Sequence, residues 1–164
     1  MWLAEIFDTE VPLQWQRESP SRYVADFDIA DEQFYVQLDI LEEPDARFGF
    51  VIFGKYDENG AGSVKRVNSK KPTQVFSIVS NGIIKLASKL GLNVVAYTAK
   101  EIERHDLYLA IGKRLSKKLN MPFESRVKGQ VGLFIIAKKE LTKSESEFIT
   151  RKMKDLPKDK RIKK

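Results

Sequence analysis

Residues 72–98 read PTQVFSIVSNGIIKLASKLGLNVVAYT, and a change of period inside this stretch decides the fold. Val75, Phe76, Val79, Ile83, Leu86 and Leu90 recur at helical spacing and predict one apolar stripe on a helix over 73–90. Pro72 suits a helix's first turn, and Gly91 supplies the left-handed residue at which a helix stops. Asn93 to Thr98 then reads as a short, β-branched strand. With a strand on each side of it, the helix is a crossover, so the sheet must be mixed.

Upstream, the pattern is that of strands. Tyr23, Ala25, Phe27 and Ile29 alternate with Val24, Asp26 and Asp28, and Phe34, Val36, Leu38 and Ile40 alternate with Tyr35, Gln37 and Asp39. The polar break from Ala30 to Gln33 makes these a hairpin, with one wet face that bears carboxylates. Phe48 to Phe53 is apolar on both faces, as in a central strand covered on both sides. Asp57-Glu58-Asn59-Gly60 is a turn. Before Arg22, the alternation of Val11, Leu13 and Trp15 predicts a further strand, with Trp2, Ile6 and Phe7 in a helical turn against it.

Downstream, a second helix is expected from about Lys100 to Leu119, with Ile111, Leu115 and Leu119 inward and Asn120 closing it. Val131 to Ala137 is another strand apolar on both sides, and Thr142 with Glu145 forms a capping box that opens a third helix over 143–155. The expected fold is α+β: a mixed, mainly antiparallel sheet with two main helices packed on it and a short third helix near the C-terminus. Residues 1–156 form the single domain, and the polar stretch 157–164 is a flexible basic tail.

Charge divides along the same line as secondary structure. Residues 1–60 hold 14 Asp or Glu against 4 Lys or Arg, a balance of −10, and residues 61–164 hold 9 against 25, a balance of +16. No carboxylate occurs from Gly60 to Lys100. The basic half should attract polyanions. The chain has no cysteine, hence no disulfide, thiolate nucleophile or Cys-based metal site. No run approaches the length of a membrane span, and the opening Met1-Trp2-Leu3-Ala4-Glu5 lacks the basic start of a secretion signal. The expected setting is intracellular, without membrane contact.

Few residues point to catalysis. His105, the one histidine, stands among Glu101, Glu103 and Asp106 at a helix start, where acids suit the helix dipole, and no nucleophile accompanies it. No catalytic residue and no metal ligand is assigned; carboxylates at 39, 42, 43 and 45 read as an acidic loop around Pro44. The basic clusters carry more. Lys65, Arg66, Lys70 and Lys71 precede the first long helix, whose amino end offers backbone N–H groups to an anion. Lys113, Arg114, Lys117 and Lys118 gather over two turns on the outer side of the second helix. Contact with nucleic acid through these bases would be salt-sensitive and blind to sequence.

The order strand 48–54, helix 73–90, strand 93–98, helix 101–119, strand 131–137 resembles the core of the GNAT acyltransferase fold. In that family a glycine-rich turn after the fourth strand donates N–H groups to the pyrophosphate of acetyl-CoA. The corresponding stretch here, Val64 to Pro72, reads VKRVNSKKP and has no glycine at the needed spacing. Tyr108, in Leu107-Tyr108, is similar to the tyrosine that the family uses as general acid. A second resemblance is to small proteins of tailed bacteriophages. It is carried by Tyr35-Val36-Gln37-Leu38, Phe50-Val51-Ile52-Phe53, Val75-Phe76-Ser77-Ile78-Val79, Val94-Val95-Ala96-Tyr97-Thr98-Ala99, and Arg104 with Leu107, Tyr108 and Arg114. It implies a phage origin and no settled chemistry. Arg104, Tyr108 and Arg114, one helical turn or more apart, read as a binding edge or as a structural clamp, and Arg104, His105 and Tyr108 stand as a candidate helix-edge site. The expected function is that of a non-catalytic phage accessory protein that binds nucleic acid or an acidic protein surface through its basic half. The alternatives are a divergent acyltransferase using a CoA thioester, and a virion or assembly component whose acidic pole meets the basic pole of the next copy. No cofactor is expected outside the CoA reading. The place is the host cytoplasm or the virion.

Overall fold

The computed structural model describes residues 12–43, 46–63, 70–99, 105–128, 131–137, 140–155 and 161–162. Its strands are β1 (Gln16–Ser19), β2 (Arg22–Ile29), β3 (Glu32–Glu43), β4 (Ala46–Tyr56), β5 (Ala61–Ser63), β6 (Val94–Ala99), β7 (Phe123–Lys128), β8 (Val131–Ala137) and β9 (Arg161–Ile162). Its helices are α1 (Pro72–Leu90), α2 (His105–Leu119) and α3 (Lys143–Asp155). One sheet runs in the order β1-β2-β3-β4-β6-β8-β7, with β5 on β4 and β9 on β5. Every described pairing is antiparallel except β4 with β6. The α+β class and the mixed, mainly antiparallel sheet are as the sequence predicts.

Alternation along the strands sorts side chains to two faces. Ala25, Ile29, Phe34, Val36, Leu38, Ile40, Val51, Val95, Tyr97 and Ile136 bury against α1 and α2. Ala46, Phe48, Phe50, Val94, Ala96, Ile135 and Ala137 bury on the other face against Ile149 of α3. Phe148 of α3 meets Phe48 and Phe50 at ring separations of 5.3 and 6.2 Å. The three helices have 19, 15 and 13 residues. The third lies over the 143–155 that the capping box predicts, and it covers the opposite face of the sheet from the first two.

Local signals act where the sequence places them. At Gly91 (φ 64°) α1 stops, and the N–H of Leu92 donates to the Ala87 carbonyl at 3.1 Å. Asn120, at φ 54°, closes α2. The capping box at α3 is reciprocal: the Thr142 N–H donates to Glu145 Oε1 at 3.0 Å, and the Glu145 N–H to Thr142 Oγ1 at 3.1 Å. Arg47 reaches the same carboxyl end of α1 and donates from Nη1 to the Leu90 carbonyl, a cation at the negative end of the helix dipole.

Other expectations change. The far face of the hairpin is wet only near its turn, where Asp26 and Asp28 are exposed; Val24, Tyr35 and Gln37 are buried. The polar groups there satisfy each other. Arg22 forks onto Asp39 at 2.7 and 3.1 Å, Gln37 donates to the same carboxylate at 3.2 Å, and the Tyr56 hydroxyl donates to Asp26 at 2.6 Å. Of the expected first strand, Val11 lies outside the described residues, as do Trp2, Ile6 and Phe7. Leu13 and Trp15 are not in a strand; they turn onto α1, and β1 forms from the four exposed residues that follow. β7 has no apolar pattern to announce it and exists by pairing with β8. Within 157–164, read as a flexible tail, Arg161 and Ile162 pair with Gly62 and Ala61 of β5; the remaining residues lie outside those described.

The β2–β3 loop is two residues long, with Ile29 opposite Glu32 and both Ala30 (φ 49°) and Asp31 (φ 69°) in the left-handed region. A turn of this shape favours Asn-Gly, and L residues there cost about 1 kcal/mol or more. The double substitution Ala30→Asn, Asp31→Gly should therefore stabilise the fold by about 1 kcal/mol, read as a higher urea midpoint with an unchanged slope; an equal or lower midpoint would contradict the turn assignment.

Candidate functional site

The parallel ladder at the sheet centre is short. It runs from Phe48 opposite Val94 to Val51 opposite Tyr97 and then stops. β4 continues to Tyr56, its last two residues facing β5, while Thr98 and Ala99 of β6 face only β8. Among the described residues the two parallel strands thus part at their carboxyl ends. Both α1 and α2 follow those ends, so their amino ends lie at the same edge of the sheet. In open α/β sheets, this is where ligands bind.

An aromatic row floors that edge on the α1–α2 face. Ring centroids are 5.4 Å apart for Phe27–Phe34, 5.9 Å for Phe34–Phe53 and 5.9 Å for Phe53–Phe76. Phe76–Tyr108 at 5.4 Å and Tyr97–Tyr108 at 5.9 Å complete it. The Tyr97 hydroxyl donates to the Tyr108 carbonyl at 2.8 Å. Burial holds the Tyr97 phenol well above its ordinary pKa, with the neighbouring Tyr108 adding to the effect. Tyr108 is half-buried in this row.

At the amino end of α1, Glu32 ties the two halves of the chain together. Its Oε1 accepts the Lys70 backbone N–H at 2.8 Å, and its Oε2 pairs with the Lys55 ammonium. Lys70 and Lys71 are exposed, and the first turn of α1 carries no acid. Lys71 borders a groove of about 460 Å³ that it shares with Gln74, Asp26 and Asp28. Lys65 and Arg66 lie outside the described residues.

The bases on α2 sit elsewhere. Phe76 touches Tyr108, and Arg114 Nη2 donates to Asn81 Oδ1 at 2.9 Å, so α2 lies beside α1 at an offset of 32–33 residues. Lys113 to Lys118 are therefore level with residues 81–86 of α1, roughly 15–20 Å along the helix from Lys71 at 1.5 Å per residue. The candidate bases form two groups, not one patch. Lys113, Lys117 and Lys118 are exposed, whereas Arg114 is half-buried and braced by Asn81. Arg104 lies outside the described residues, and His105 is the first residue of α2, its side chain likewise outside them. Lys85 and Lys89 of α1 are also exposed, and sequence reasoning passed over them because it followed the apolar stripe.

Of the carboxylates considered for a cation, Asp45 lies outside the described residues. Asp39 is taken by Arg22, and Glu42 pairs with Arg47 at 2.8 Å. Among the described residues no three His, Asp or Glu side chains are placed to share a metal, and no helix is long and apolar enough to cross a membrane. No protein-family model matches the chain, and no curated protein matches it.

Tyr97 carries a pH dependence of known sign. Its raised folded-state pKa means that its contribution is intact below pH 10 and is lost as pH rises from there towards the folded value. Denaturant midpoints should fall above pH 10 more steeply for the parent than for Tyr97→Phe, which in turn should cost about 1 kcal/mol at neutral pH through the lost hydrogen bond. Parallel alkaline profiles for the two proteins would refute the assignment.

Proposed function

We propose that this chain is a non-catalytic phage accessory module that binds a polyanion, nucleic acid first, through the outer side of its helical layer. One observation carries the reading. Every charged residue on α1, and every one on α2 after Asp106, is a base, and Lys85, Lys89, Lys113, Lys117 and Lys118 are all exposed on these neighbouring helices. Three of the four bases of the acidic half are held by its own acids, as Arg22–Asp39, Arg47–Glu42 and Lys55–Glu32. A layer so arranged gains affinity by releasing counterions from phosphates and reads no sequence.

The test is retention on nucleic acid across a salt series. The plot of log affinity against log salt should lose about two units of slope on Lys113→Glu with Lys117→Glu, one per phosphate contact. A folded protein that ignores nucleic acid at low salt would end this reading.

A second reading rests on topology. What supports a GNAT-like core is the strand order β4-β6-β8 around one parallel pair, with the α1 crossover and the parted carboxyl ends. Lys70, Lys71 and the amino end of α1 would then meet phosphates, but the stretch from Val64 to Pro72 lacks the glycine cradle, so the residues do not fit CoA as that family holds it. No acyl-transfer step is derived from them. Millimolar CoA should raise the melting temperature by several degrees if the site is retained, since a ligand at about ten times its Kd stabilises by about 1.4 kcal/mol. An unchanged melting temperature would remove CoA from consideration.

A further inference from the structure

Beside the basic helices lies a groove that the charge pattern alone does not reveal. Residues 12–15 leave the sheet edge and cross α1 at Gly82. Leu13 fills the space there, since a Cβ on residue 82 would stand 2.3 Å from Leu13 Cδ1. The Trp15 Nε1–H donates to the Gly82 carbonyl at 3.3 Å, which fixes the indole along the helix. Between this arm, α1 and α2 opens a groove of about 310 Å³. Its apolar lining includes Leu13, Trp15 and Ile84, and among the described residues its charged lining is Lys85, Arg114 and Lys118, with no carboxylate.

We infer that this groove is a binding site for single-stranded nucleic acid, in which a base lies against Trp15 and the adjoining phosphates meet Lys85, Arg114 and Lys118. The chemistry is that of grooves that hold single strands, where bases track the backbone and an aromatic ring offers a stacking surface. Arg114 and Lys118 are one turn apart on α2, about 6 Å along its axis, and Lys85 faces them from α1. Asn81 braces the Arg114 guanidinium at the groove wall. The indole is already held in the free protein, so little ordering is needed on binding. A duplex keeps its base faces stacked inside and has none to lay on Trp15. An acidic peptide brings charge but nothing that stacking would favour over any other apolar group.

This inference rests on the polyanion reading and narrows it, so its test must separate the two. In the full chain carrying Trp2→Phe, Trp15 is the sole indole, and an oligothymidylate of about eight nucleotides, within the site size of such grooves, should change its fluorescence saturably. Anisotropy of the labelled oligonucleotide should show affinity falling at least about tenfold with Trp15→Leu or with Lys85→Gln plus Lys118→Gln. Lys113→Gln plus Lys117→Gln should weaken binding but leave the Trp15 signal. Circular dichroism of each variant checks that it is folded. The groove assignment falls if the oligonucleotide binds without altering Trp15, if the two lysine pairs behave alike, or if duplex DNA or poly-glutamate of equal charge competes as well as the single strand. Those outcomes leave the polyanion reading standing, whereas no binding by any folded variant at low salt overturns both.

Discussion

Four parallel residue pairs, Phe48 to Val51 against Val94 to Tyr97, join the two halves of this protein. From β1 to β4 the acidic side is an antiparallel meander. Everything on the basic side is ordered by the need to reach and cover this seam. A parallel pair cannot be made by a hairpin, so the chain must leave the sheet, and α1 is the crossover that brings it back. Parallel strands are also normally buried on both faces. Here α1 and α2 cover one side of the seam and α3 the other, and that division accounts for the two larger apolar clusters.

The seam also explains what becomes of the charge asymmetry. Three ion pairs lie wholly within the first 60 residues, so the acidic half draws on its own few bases. Glu32 is the exception that reaches across, using its second oxygen to accept the Lys70 N–H just before α1. Away from its turn, the hairpin face expected to be wet is closed by Arg22, Gln37 and Asp39 acting on one another, while the exposed Asp26 accepts from the Tyr56 hydroxyl. Lys85, Lys89, Lys113, Lys117 and Lys118 of α1 and α2 lie on an outer surface, while Asp39, Glu42 and Glu32 of the meander are engaged within it. The acidic half thus keeps most of its carboxylates beyond these three pairs, and the exposed lysines of α1 and α2 form a cationic helical layer.

Much of this was legible in the chain. Period and punctuation located α1 to within a residue, Gly91 and Asn120 as stops, and the Thr142–Glu145 box with the bounds of α3. These features are local, set by contacts within a turn or two. What escaped reading was decided at a distance. β7 has no alternating pattern because it is an edge strand, and its pairing is supplied by β8. Leu13 and Trp15 alternate as a strand would, yet Gly82 offers them a closer seat on α1. Of the candidate bases, the cluster of four on α2 was visible, but its relation to Lys85 and Trp15 was not, since no spacing in sequence links residues 15, 85 and 118.

By itself, then, the sequence determined the α+β class, the existence of a crossover, the bounds of α1 and α3, and a basic C-terminal half. Each follows from side-chain period, backbone preference or net charge, which are properties of a segment or of the whole. Tertiary structure alone decided where the parallel strands part, which bases share a groove, and which polar face is sealed. Those depend on the offset between α1 and α2 and on the path of the arm over Gly82. Packing sets both, because each is chosen by the fit of surfaces that the chain brings together only after its local elements have formed.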